Sequence, residues 1–187
     1  MDGHTVAGRI TGRLHLVAGT PEHVRAELES PLKLGVLLNA DVPRDWPPGE
    51  YDRKAQEFFL ERMGRADPSE TCWYVWYAVL RVAAGGRGSL LGTGGYLGPP
   101  DTDGVVEIGY SVSRAWRGKG FAGEIVDGLV AQAFSDGRVS RILAHTAREN
   151  AASQRVIERA GFRPAGPCPD RDQLQFELRR IWRNQTQ

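Results

Sequence analysis

Gly104-Val-Val-Glu-Ile-Gly-Tyr-Ser-Val-Ser-Arg-Ala-Trp-Arg-Gly-Lys-Gly-Phe-Ala-Gly123 reads as a strand, a short basic glycine-rich loop and the first turn of a helix. Val106, Ile108, Tyr110 and Val112 alternate with Val105, Glu107, Gly109 and Ser111, which is the period-2 pattern of a strand. One face is bulky and apolar; the other is small and carries a single carboxylate, Glu107. Beyond the loop, Ala122, Ile125, Val126, Leu129, Val130, Ala133 and Phe134 recur at helical spacing, so one side of that helix packs on a sheet. Arg117, Gly118, Lys119 and Gly120 lie between the two elements. Glycines let a backbone approach a ligand closely, and the first amides of a helix favour anions. The stretch therefore predicts a phosphate cradle beside a carboxylate-bearing strand.

The flanking sequence supplies a sheet for this unit to join. Residues 1 to 9 carry no pattern and are expected to be loosely ordered, and the first strand is expected around Leu14 and Leu16. Thr20-Pro21-Glu22 combines a cap residue, proline at the first helical position and an early acid, and predicts a helix to about Ser30. Residues 31 to 51 contain an apolar cluster from Leu32 to Leu38 and then Val42-Pro-Arg-Asp-Trp-Pro-Pro-Gly49, and they read as a loop. Trp46 in that loop either walls a pocket or pins the loop to the body. Asp52 is placed to cap a helix with Ala55, Phe58, Phe59, Arg62 and Met63 on one side and Gly64 as its stop.

Thr71 to Ala83 and Ser89 to Leu97 read as a hairpin around Gly85-Gly-Arg-Gly88. Val139 to Thr146 is a further strand, and Asn150 opens a short helix that Gly161 stops. Phe162 to Ala165 and Gln173 to Arg179 read as closing strands. The order β-α-loop-α-β-β-β-α-β-α-β-β is that of an α/β sandwich with a mixed sheet.

At 187 residues the chain suits one domain with a substantial core, taken here as 1–187. A formal net charge of +1 offers no general attraction to nucleic acid or an anionic membrane. No apolar run is long enough to span a bilayer and no signal-peptide pattern appears. Cys72 and Cys168 fit no metal spacing, so neither a metal nor a structural disulfide is expected, and the cytoplasm is the expected compartment.

Three pieces together resemble the GCN5-related N-acetyltransferase (GNAT) superfamily, above all its ribosomal-protein alanine acetyltransferase-like branch. Glu107-Ile-Gly-Tyr-Ser-Val112 is similar to that branch's fourth strand, and Arg117-Gly-Lys-Gly-Phe-Ala122 to the family's pyrophosphate loop. Asn150-Ala-Ala-Ser153, followed by Val156, Glu158-Arg159 and Gly161-Phe162, resembles its C-terminal signature. The likeness covers residues 104–166 by motif and 10–103 by element order. It implies a mixed, mostly antiparallel sheet of six to seven strands flanked by about four helices. Acetyl-CoA would lie in a wedge between Val105–Val112 and Val139–Thr146, with the amine entering from the side of the 31–51 loop.

On that resemblance the cofactor-binding residues are Ile108, Gly109, Tyr110, Ser111, Val112, Arg117, Gly118, Lys119, Gly120, Phe121, Ala122, Asn150 and Ser153. Glu107 is the expected general base, and a backbone N–H near Gly109 or Tyr110 the expected oxyanion donor. The chain departs from the family pattern twice. Ala115 stands where the loop usually begins with Gln or Arg, and Ile157 stands where many members carry a tyrosine general acid, leaving Ser153 as the nearest polar candidate. Trp46 and His145 are candidate substrate contacts. The partners implied are acetyl-CoA and an amine, which could be a small molecule or a protein N-terminus, and a homodimer is possible. Two other readings stand beside this one. A CoA-binding module without catalysis is compatible with Ile157, and Gly118, Gly120 and Gly123 spell G-x-G-x-x-G, although the intervening Ser113 to Trp116 and the absence of an acid ending the next strand argue against a dinucleotide site.

Overall fold

A computed structural model describes residues 8–82, 86–168 and 172–181. The expectations for residues 1–7 and for Ala83 and Gly85 lie outside the described residues. Nine strands form one sheet: β1 (Gly8–Ile10), β2 (Leu14–Ala18), β3 (Ala40–Asp41), β4 (Val75–Leu80), β5 (Gly88–Tyr96), β6 (Val105–Val112), β7 (Arg141–Ala147), β8 (Arg163–Pro167) and β9 (Gln173–Arg179). Among the described residues five α-helices flank it: α1 (Pro21–Glu29), α2 (Pro31–Leu37), α3 (Arg53–Arg65), α4 (Phe121–Ala133) and α5 (Ala151–Arg159). The spatial order is β1-β2-β4-β5-β6-β7-β9-β8, with β3 added beside β5. Among the described residues only β3–β5 and β6–β7 are parallel. This is the expected mixed, mostly antiparallel architecture, longer by the two short strands β1 and β3.

Four local expectations are corrected. Gly8–Ile10 is a strand paired with His15 to Val17, so its order comes from a neighbour rather than from a pattern of its own. Residues 31–37 are helical, not loop. Ser30 ends α1 and caps α2 through its side chain, and Pro31 is the first helical residue, repeating the Thr20-Pro21 signal. Thr71 to Trp73 belong to a 3-10 turn (Pro68–Trp73), so β4 begins only at Val75. Gly64 also lies inside α3, one residue before its end.

The sheet divides the core in two. On one side, Val106, Ile108 and Val112 join Ile125 and Leu129 of α4, Ile157 of α5, and Leu14, Leu16 and Trp76. On the other, Val75, Tyr77 and Val79 of β4 join Val24, Leu34, Met63, Trp46 and Tyr51. β4 is thus covered on both faces, which explains its unbroken apolar run.

A buried carboxylate organises the second cluster. Glu27, 4% exposed, accepts from Trp46 Nε1 at 2.6 Å, Tyr51 OH at 2.9 Å and Tyr77 OH at 2.8 Å. Trp46 therefore pins the 42–51 segment to α1 and β4. Among the described residues no helix is long and apolar enough to cross a membrane.

Candidate active site

β6 and β7 run side by side only from Val105↔Arg141 to Ile108↔Ala144 and then separate. Beyond that point β6 stays on β5 as far as Val112, while β7 stays on β9 as far as Ala147. Leu97 N donates to Glu107 O and Ser113 N to Leu91 O, so the odd-numbered residues of β6 spend their backbone groups on β5. Those of the even residues point the other way. Past Ile108 this leaves Tyr110 N–H facing the gap, with no strand beside it. The sequence alone left Gly109 and Tyr110 as alternatives for an oxyanion donor; strand parity favours Tyr110.

The gap leads toward the start of α4. Thr20, Ser30, Asp52 and Asn150 cap the starts of α1, α2, α3 and α5 with their side chains, but Gly120 leaves α4 without a side-chain cap. Gly118 and Gly120 take left-handed backbone at φ 74° and 82°, which bends the chain so that the first α4 amides stay open. Arg13 braces this loop: its Nη1 donates to Lys119 O at 3.1 Å, and its guanidinium lies 4.1 Å from the Phe121 ring centre. Lys119 Nζ sits 4.9 Å from the ring centre of Trp116. Arg117 turns back, its Nε donating to Val112 O at 2.9 Å, and so holds the free end of β6.

Asn150 Oδ1 accepts from Ser153 N at 3.1 Å as an ordinary helix cap. Ser153 Oγ lies 2.8 Å from Tyr110 OH, so a hydroxyl pair bridges β6 and α5 across the gap. Burial raises the Tyr110 phenol above its ordinary value, offset in part by the Ser153 hydrogen bond. Ile157, by contrast, is fully buried in the core.

On the opposite face, Glu107 Oε1 and His145 Nδ1 are 2.9 Å apart at the point where the strands part. The contact lacks hydrogen-bond alignment and is an ion pair when the imidazole is protonated. His145 Nε2 lies 3.4 Å from Gln175 Oε1 on β9. Two residues along the same face of β6 from Glu107, at Gly109, a cleft of about 260 Å³ opens between α3 and the β5–β6 ladder; neither Glu107 nor His145 lines it. Ala55, Phe58, Phe59, Val75 and Leu97 wall it, and Glu50 and Tyr51 close one end. Trp46 does not line this cleft; it holds the segment that delivers Glu50 and Tyr51.

The cleft floor is a directly opposed glycine pair, Gly95↔Gly109. A Cβ on Gly95 would sit 1.8 Å from the backbone oxygen of Tyr74, at φ 154°, whereas one on Gly109 meets nothing within 4 Å. Gly95→Ala is therefore expected to cost about 3 kcal/mol or more, because a backbone carbonyl cannot move aside. Gly109→Ala is expected to stay within about 1 kcal/mol of the parent. Urea unfolding of the two variants reads the difference, and equal midpoints would refute this account of the floor.

Sequence reasoning singled out Glu107, His145, Tyr110 and Ser153 separately, but not their pairing. It missed Arg13, whose only signal was a basic residue entering a strand, and it missed Phe58, Phe59 and Leu97 as cleft walls. Among the described residues no group of three or more His, Cys, Asp or Glu stands together as a metal site.

A family model described as "Acetyltransferase (GNAT) domain" matches residues 13–163. A Bacillus subtilis protein named "Uncharacterized N-acetyltransferase YjdG" is 38% identical over 73 residues, covering 39% of this chain and 44% of that protein. The chain spans about half the length of the curated relatives it matches. The ribosomal-protein-S5-alanine acetyltransferase of Vibrio fischeri has a TM-score of 0.63 at 14% identity, over 92% of this chain and 96% of that one. The microcin C7 self-immunity acetyltransferase MccE, solved with acetyl-CoA and AMP, has a TM-score of 0.62 at 13% identity, over 91% and 94%. At these identities the structural likeness is one of fold.

Proposed function

The chain belongs to the GNAT acetyltransferase family, and from that premise we propose that it transfers the acetyl group of acetyl-CoA to a primary amine. The observation that carries this reading is the uncapped start of α4 beside the gap between β6 and β7. Four other helices cap themselves, so the open amides of α4, with Lys119 beside them, fit a pyrophosphate supplied from outside. The extended gap with Tyr110 N–H turned into it fits a slender arm ending in a thioester. Acetyl-CoA supplies the activated acetyl group; the chain supplies position, charge and proton transfer.

In this reading the amine attacks as the free base, and Glu107, with His145 beside its carboxylate, takes up directly or through water the proton that the nitrogen sheds as the N–C bond forms. Tyr110 N–H donates to the carbonyl oxygen as negative charge develops there. The N–C bond forms and the C–S bond breaks, and the sulfur leaves with the electron pair. Tyr110 OH, kept protonated by burial, is the nearest donor to return a proton to it, and Ser153 relays the replacement from solvent. This pair takes the place of the tyrosine that Ile157 displaces. An ordinary thiol has a pKa near ~8.5, so the demand on this acid is modest.

Calorimetric titration with acetyl-CoA, with NADH as control, tests the reading. Gly123 lies in the first turn of α4, and a Cβ there meets nothing within 4 Å. A carboxylate at that position favours the helix start while repelling phosphate. Gly123→Glu is accordingly expected to weaken acetyl-CoA at least ~10-fold without lowering the melting temperature. Binding of NADH in place of acetyl-CoA would overturn the proposal.

A further inference from the structure

The cleft two residues along β6 from Glu107 carries information about the acceptor, on the reading of the chain as an amine acetyltransferase. Its walls are apolar, and Phe58 and Leu97 are each 39% exposed although large. Large apolar groups left open in a concave site lose little by binding an apolar partner and gain its burial. The rings are held in place: Phe58 and Phe59 meet edge-on at 5.4 Å, and Tyr51 and Phe59 lie 6.2 Å apart. No lysine or arginine lines the cleft among the described residues, and Glu50 is its one charged residue.

Outside the cleft lining, the polar side chains of β6, β7 and β9 pair with one another. His145 meets Glu107 at 2.9 Å, and Glu177 meets Arg179 at 2.8 Å and Arg141 at 3.5 Å. Polar recognition of a long acceptor would have to break these pairs, whereas an apolar group needs only the space already present.

We propose that the acceptor is a primary amine carried on an aromatic or branched aliphatic group, which seats between α3 and the Gly95–Gly109 floor and presents the nitrogen toward Glu107. The size agrees. An apolar cavity of about 150 Å³ takes a benzene ring, so 260 Å³ holds a ring with the short chain that bears an amine. A free amino acid finds no cation for its carboxylate in the cleft. A polyamine finds one carboxylate, at the end. The same apolar group could belong to a small amine or to the first residue of a polypeptide.

The test measures thiol release by the full chain with acetyl-CoA and 2-phenylethylamine, isoamylamine, spermidine, glycine or a tripeptide beginning with phenylalanine. Calorimetric binding of 2-phenylethylamine to the CoA-loaded protein gives a second readout. Phenylethylamine or isoamylamine is expected to exceed spermidine and glycine in kcat/KM by about 100-fold. Ala55→Trp, which fills the cleft, is expected to weaken phenylethylamine binding and kcat/KM at least ~10-fold with acetyl-CoA binding unchanged. Preference for the tripeptide over phenylethylamine supports the assignment and identifies a polypeptide N-terminus as the source. Preference for spermidine or glycine, or no amine binding while acetyl-CoA still binds, overturns the acceptor assignment alone. Failure of acetyl-CoA itself to bind overturns the transferase reading and takes the assignment with it.

Discussion

Glu107→Gln is expected to lower kcat/KM for the best amine by about 100-fold, the ordinary contribution of a positioned general base. An amine attacks as the free base, and glutamine keeps the shape of glutamate without its proton affinity. Acetyl-CoA affinity should hardly move, because Glu107 lies on the α3 face of the sheet, while the cradle at α4 is formed from backbone. That split separates a catalytic role from a structural one, since a distorted β6 would weaken both. His145→Ala should give a smaller loss, since it removes only the ring that lies 2.9 Å from the carboxylate. Tyr110→Phe should slow turnover several-fold and leave the acceptor preference intact, with Ser153→Ala milder still. Retention of activity within about threefold in Glu107→Gln would mean that the amine loses its proton elsewhere.

Glu27→Ala is expected to be the most destabilising single change outside the glycine floor. It removes the shared acceptor of three buried donors, Trp46 Nε1, Tyr51 OH and Tyr77 OH, of which the two phenols can still meet each other. Each stranded group costs roughly 1–3 kcal/mol, with incomplete additivity, so about 4 kcal/mol is expected in all. In a chain of this size that corresponds to roughly 10 °C in melting temperature. The carboxyl also has a pH signature. Burial raises its pKa above the ordinary 4.5 even though four side chains hydrogen-bond to it. The folded state therefore binds more protons than the unfolded state from that value upward to the raised one. This group's contribution to stability is greatest below 4.5 and is lost as pH rises through the folded pKa. Glu27→Gln removes that slope, which thermal melts across the acidic range would detect as a flatter profile. An unchanged slope would show that the carboxylate ionises without cost.

The two expected effects meet in the 42–51 segment. Trp46 and Tyr51 donate to Glu27, and the same segment ends in Glu50 and Tyr51 at the cleft. Loss of Glu27 should therefore loosen the acceptor wall before it unfolds the sheet, raising KM for the amine more than for acetyl-CoA.

What local order alone decides was readable along the chain. The alternation from Val105 to Val112, the stripe from Ala122 to Phe134 and the caps at Thr20, Asp52 and Asn150 are written within a few residues, because strand period, helix period and capping are short-range effects. They yield the element order and the loop before α4; the likeness to the family rests on the motifs at 107–112, 117–122 and 150–162. Even the helix at 31–37 has a local signal in Ser30-Pro31, masked by the prolines that follow it. Strand β1 had none, since its three residues are ordered only by pairing.

The site's working contacts belong to tertiary structure. Tyr110 and Ser153 are 43 residues apart, and Glu27 draws partners from 19, 24 and 50 residues away. No sequence period links such positions; they meet because the sheet places β6 beside β7 and packs α1, α3 and α5 on its faces. Glu107 and His145 were each visible as candidates, but only the β6–β7 register puts a carboxylate against an imidazole where the two strands part. The sequence by itself determined which chemistry the chain can attempt, through residues that act where they stand. The tertiary structure decided which of those residues touch and what shape is left open beside them, because contact between distant residues depends on packing rather than on order along the chain.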